Sequence, residues 1–176
     1  MGLLSSIGDL LKQYSATSQA PANTAGNVEQ HFDQVAQSVP GASLAGGLAA
    51  AFRSGQTAPF PQMAAQLFAN GNSQQQAGLL NSLVASLGPA VIAKFAGSAP
   101  NSPLAALLQS GSVTPAQAAT VSPSDVEALT NHAQSQDPSI IDRVSAIYAQ
   151  HPTLIKSLGA AALVIAMKNI ADQHAA

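Results

Sequence analysis

Cysteine and tryptophan are absent from these 176 residues, aromatics make up 4%, and charged residues only 8%. Without cysteine there can be no disulfide, no thiolate metal site and no cysteine nucleophile. Six Lys and Arg, scattered along the chain, cannot form the basic stripe that neutralises phosphates, and the scarcity of rings leaves bases little to stack on. Nucleic-acid binding is therefore excluded as an expectation. The longest strongly apolar run is LGAAALVIAM, residues 158–167, about half of what a membrane span needs. No basic segment precedes the apolar residues of the N-terminus, which makes it a poor secretory signal. The expected location is cytoplasmic, with export by a route lacking a cleaved signal left open.

Catalytic signatures are missing as well. There is no G-x-S-x-G elbow after a strand, no G-x-x-x-x-G-K-[ST] loop and no G-x-G-x-x-G after a strand. The glycine pair in LAGGLAAAF sits inside an apolar helical stripe, where close packing explains it better than phosphate binding. In NVEQHFDQ, Glu29 and Asp33 share a helix face while His31 points about 200° around from Glu29, so a solvated polar face is expected there and not a metal site. Asp125 and His132, seven residues apart, could share a face for acid–base work. The plainer account is a first-turn Asp on the helix dipole and a surface His. No cofactor is expected.

What the chain does have is helical periodicity almost throughout. GLLSSIGDLLKQY puts Leu3, Leu4, Ile7, Leu10, Leu11 and Tyr14 on one face. The polar, Pro- and Gly-containing stretch 15–26 reads as a linker. Residues 1–26 are thus an amphipathic helix plus linker, and 27–176 a single all-helical domain. Apolar stripes follow at Val28, Phe32, Val35 and Val39, at Leu44, Leu48 and Phe52, and at Met63, Leu67 and Phe68. SQQQAGLLNSLVASLG starts at a Ser cap and stops at Gly88, and Pro89 opens the next helix. Four phrases, beginning at Thr114, Ser122, Asp137 and His151, each place a residue before proline and helix formers after it. That is helix punctuation, with Ser, Thr and Asp as caps. His151 is read the same way, although histidine is a less usual cap.

After that last phrase, Leu154, Ile155, Leu158, Ala162, Leu163, Ile165, Ala166 and Ile170 cover most of a helix circumference, so this helix is buried or covered by a partner. Gly159, Ala162 and Ala166 form a narrow strip that lets another backbone approach. A central core helix accounts for it, and a contact between subunits is the functional alternative. No stretch alternates as a strand should. The fold expected is all-α, an irregular bundle of about eight to ten short helices, or stacked helical hairpins.

MGLLSSIGDLL and GLLNSLVASLGPAVIAKFAG (78–97) are similar to YidB-like uncharacterised bacterial proteins. DPSIIDRVSAIYAQHPTLIKSLGAAAL resembles the C-terminal part of hypothetical bacterial proteins that share such openings. Together these segments cover about half the chain. The resemblance implies an all-helical bacterial protein and supplies no activity or catalytic residue. MGLLSS also fits the short acylation pattern M-G-x-x-x-[ST], which occurs often by chance.

Net charge is −2, so copies repel each other little, and near-zero net charge favours association. The leading expectation is a non-enzymatic structural or interaction protein that self-associates through apolar helix faces. Its partner would be itself or another protein, through Leu3, Leu4, Ile7, Leu10, Leu11, Gly159, Ala162 and Ala166. The alternative is a helical carrier of an apolar small molecule or lipid. An enzyme would need His132 or His151 to meet a carboxylate. Helix 3–14 could also lie at a membrane interface, but such helices are rich in Lys and Arg, and here Lys12 is opposed by Asp9.

Overall fold

The computed structural model describes residues 8, 9, 12 and 25–175. Among them are ten α-helices, one 3₁₀ turn and no strand, so the protein is all-α. In order the helices are α1 (Ala25–Ser38), α2 (Gly41–Arg53), α3 (Phe60–Asn70), α4 (Ser73–Ser98) and α5 (Pro103–Gln109). They continue with α6 (Pro115–Ala118), α7 (Pro123–Gln136), α8 (Ile140–Tyr148), α9 (Pro152–Ile155), the 3₁₀ turn Lys156–Leu158 and α10 (Ala160–Ala175). The candidate residues Leu3, Leu4, Ile7, Leu10 and Leu11 lie outside the described residues.

The proline phrases punctuate the helices in the way their chemistry dictates. Thr114 forms a reciprocal capping box with Gln117, and Ser122 accepts from the Asp125 amide, each with proline in the first turn. Asp137 behaves differently. Its carboxylate accepts from the Ser139 amide at 3.0 Å, an Asx turn, and α8 starts only at Ile140. His151 occupies the N-cap position of α9 and makes no side-chain cap hydrogen bond. The cap of α4 is Asn72, boxed with Gln75, one residue ahead of the serine that the sequence suggested. The amide oxygen of Asn72 accepts from the Gln75 N–H in the first turn, as a serine hydroxyl at that position would.

The sequence marks no boundary inside 27–176. The packing gathers into two compact units, one of residues 25–59 with 145–175, the other of residues 60–144. In the first, α10 packs mainly on α2 and also on α1. Val28, Phe32 and Val35 of α1, Leu44, Leu48 and Phe52 of α2, and Leu163, Met167 and Ile170 of α10 are all buried. At Gly47 an added Cβ would lie 2.6 Å from the Ala166 carbonyl oxygen. Only glycine permits so close a crossing. Lys156 and Asp33 form an ion pair at 3.0 Å, both side chains part-exposed, tying the 3₁₀ turn to α1.

In the second unit, α3 packs on α7, and α4 contacts α5, α6 and α7. Phe60, Met63, Leu67 and Phe68 of α3 and Val126, Leu129 and Ala133 of α7 are buried. Thr130, also buried, returns its hydroxyl to the Val126 carbonyl at 2.7 Å, which satisfies it within its own helix.

Candidate functional site

One apolar feature of the second unit starts from a break that the sequence shows. Gly88 adopts φ 69, ψ 165 in the middle of α4, immediately before Pro89. Proline has no N–H to give the Ala85 carbonyl and cannot continue the helix without a clash. Glycine takes the positive φ at little cost. The result is two helical arms joined at Gly88. The Ser86 carbonyl, whose helical partner the break removes, accepts from Arg143 Nη1 at 3.1 Å. The same arginine lies 3.4 Å from Asp137.

Beside the break is a groove of about 950 Å³, lined chiefly by Val84, Pro89, Ile92, Ala93, Ala96 and Leu108. Gln109 is the one polar side chain among the lining residues, and none of them is charged. The far wall is held by Asn81. Its side chain both donates to the Val113 carbonyl (2.9 Å) and accepts from the Val113 amide (2.7 Å). That pair fixes residues 110–113 against α4, with Gly111 at φ 78 turning the chain. Ser110 closes the turn by hydrogen bonds to the Leu107 and Ser112 carbonyls.

The helix that floors the groove is strongly apolar but only partly buried. Over its most apolar 18 residues α4 has mean hydropathy 1.5, yet only 33% of that window is buried. By length and composition alone it could cross a membrane. The distribution of side chains is unlike that of a lipid-facing helix. Leu79, Leu80, Leu83, Leu87, Ile92 and Phe95 point inward, while the exposed positions include the small residues Ala85, Pro89, Ala90, Ala93 and Gly97 and the charged Lys94.

A second, smaller pocket of about 400 Å³ lies between α4 and α7, lined by Phe95, Ser98, Asn131, His132 and Ser135 among others. His132 stands with its ring 6.4 Å from that of Phe95, tilted by 52°. Its Nε2 is buried and has no hydrogen-bond partner. The carboxylate that the sequence offered to His132 is engaged elsewhere. Asp125 accepts from Ser102 Oγ at 3.0 Å and Ser122 Oγ at 2.9 Å, tying the starts of α5 and α7 together. Seven helical residues also separate the two by about 10 Å along the axis. Acid–base pairing of Asp125 with His132 is thus not formed.

The other candidates are dispersed. Glu29 is exposed, Asp33 is paired to Lys156, and His31 is half-buried. Among the described residues no group of three His, Asp or Glu could hold a metal ion. Ala162 and Ala166 are buried at 3% and 1% exposure, and the Ala166 carbonyl touches the Gly47 position of the chain's own α2. The surface that these two alanines offered to another subunit is therefore occupied within the chain. Gly159 is exposed and turns the backbone at φ 90 ahead of α10.

Two titratable groups depart from their ordinary values. Hydrogen bonds from the Ser139 side chain and backbone, and then the charge of Arg143, hold Asp137 below the usual carboxylate range. Burial pushes the Tyr148 phenol well up. Neither residue lines the groove.

Sequence reasoning placed the Gly88–Pro89 stop but not the groove. The signal was available, as a Gly-Pro pair set within apolar residues, with alanine at the outward positions 85, 90 and 93. Asn81, which builds the wall, carries no pattern at all, because its partner is a backbone 32 residues away. No family model, curated protein or solved structure matches this chain.

Proposed function

We propose that the chain is a non-enzymatic interaction protein that self-associates through the apolar, largely uncovered side of α4. The observation that carries this reading is the 33% burial of a helix window with mean hydropathy 1.5, beside an uncharged groove. Exposed contiguous apolar surface marks partner surfaces, and a net charge of −2 adds little repulsion between copies. Sedimentation equilibrium over a wide concentration range tests it. Concentration-dependent assembly is expected, and a strict monomer at high micromolar concentration overturns it.

A second reading has its own support. The groove volume falls in the range of small-molecule sites, which are mostly apolar with few polar groups. The protein would then carry an apolar molecule or lipid, with Gln109 as the orienting polar group. Native mass spectrometry of freshly purified protein separates the two readings, because a carrier retains added mass and an assembling protein shows multiples of its own. We further propose a bacterial setting, which the resemblance to YidB-like proteins would imply, and a cytoplasmic location, which cell fractionation tests.

A further inference from the structure

The groove along α4 is open and apolar, and the sequence offers an amphipathic segment at residues 3–14. We propose that residues 3–14 of a second copy of this chain dock in the groove along α4, so that copies associate by exchanging their N-terminal segments. This rests on the self-association reading above and names the contact.

The match is one of shape, length and charge. At 3.6 residues per turn, Leu3, Leu4, Ile7, Leu10, Leu11 and Tyr14 share one stripe. Gly8, Asp9 and Lys12 are helical in the structure, and Asp9 and Lys12 are exposed, as charges opposite that stripe should be. Large branched side chains on the segment meet small ones on the groove, since Ala85, Gly88, Ala93, Ala96 and Gly97 line it. An added Cβ at Gly88 or Gly97 would meet nothing within 4 Å, so space for a neighbouring backbone is open there. No charged side chain lines the groove, so docking an apolar stripe strips water from no ion. A twelve-residue helix would span about 18 Å, close to the extent of α4 from Val84 to Gly97 at the same rise. The polar residues 15–24, at up to about 3.5 Å each, reach some 35 Å. That is enough to bring the segment onto a neighbouring molecule.

The test uses two full-length variants, Ile7→Asp and Ala93→Glu. Ile7 lies at the centre of the stripe, and Ala93 is an exposed groove residue, so neither change disturbs a described core. Circular dichroism checks that both stay helical. Each variant alone is expected to associate at least about tenfold more weakly than the parent, because either change buries a charge in an apolar contact. A mixture of the two is expected to recover a one-to-one complex, since the intact segment of Ala93→Glu fits the intact groove of Ile7→Asp. Sedimentation velocity reads the masses. If the parent assembles but both variants assemble equally well, this contact is wrong while self-association stands. If the mixture stays monomeric, the segment docks within its own chain or not at all, and the exchange is overturned. A monomeric parent removes this inference together with the reading on which it rests.

Discussion

Two helices of this chain, α10 and α4, are both strongly apolar in sequence and end in opposite circumstances. In α10 the residues Leu163, Val164, Ala166, Met167 and Ile170 are buried, and α2 crosses it so closely that Gly47 sits on the Ala166 carbonyl. In α4 the large residues are buried on one side, but the small ones on the other face open space at Gly88 and Gly97. Small residues thus have two meanings here. In the first unit they mark a contact already made, and along α4 they mark one that the chain alone leaves unmade. Hydropathy does not tell these apart, because it records how greasy a helix is and not what lies against it.

The difference can be broken most severely at Gly47. Gly47→Leu must displace the Ala166 carbonyl and the Ile170 side chain, whose Cγ1 would lie 2.9 Å from the first added atom. Since the obstacle is backbone, a loss of about 2–3 kcal/mol is expected from chemical denaturation. Asn81→Ala should come next. It removes two hydrogen bonds and leaves the Val113 backbone, in a residue 4% exposed, without its partner. A loss of about 1–2 kcal/mol is expected, with faster hydrogen exchange of the Val113 amide.

Gly46→Ala sharpens the contrast from the other direction. An added Cβ there meets only the Gln173 side-chain amide at 2.6 Å, on an exposed residue. That side chain can swing away at the cost of its hydrogen bond to Asn169. Loss of glycine flexibility should then win, raising stability by about 0.5–1 kcal/mol. Ala93→Leu, into the open groove, should leave monomer stability within about 0.5 kcal/mol, as read by thermal melting at a concentration where the protein is dilute.

Acid titration separates a local effect from these packing effects. The Asp137 carboxylate is stabilised in the fold by Ser139 and Arg143. A group with a depressed folded value contributes stability above its unfolded value, near 4, that is lost as pH falls through the folded one. Asp137→Asn should therefore cost stability above about pH 4, a difference that shrinks away as pH falls through the folded value. An NMR titration of the Asp137 carboxyl carbon gives the folded value directly.

The helical class was legible because the evidence for it is local. Periodicity in α1 to α4 and the caps at Thr114 and Ser122 depend on neighbours within four residues, and the structure bears out an all-α fold of about ten helices. Gly88–Pro89 was legible as a stop for the same reason. The contacts that build the candidate site are not local. Asn81 with Val113 and Arg143 with Ser86 span 32 and 57 residues, and no composition or period records such pairs. Asp125 illustrates the limit from the opposite side. Its spacing to His132 suggested chemistry, but its carboxylate is taken by two serines, one of them 23 residues away. His132 itself, with a buried Nε2 lacking a partner, is a polar atom that no sequence pattern could have shown to be unsatisfied.

The first unit is assembled from the two ends of the described chain, and that has a consequence for synthesis. Helix α2 emerges first, while α10, which packs on α2 across Gly47, follows only after residues 54–159 have been made. For the whole interval in which residues 54–159 are being translated, α2 must wait with its greasy flank unshielded. Closing so long a loop is entropically affordable, but a ribosome that stalls late, or a message cut short before residue 160, leaves that flank bare. Premature products of this chain should for that reason be prime clients for holding chaperones.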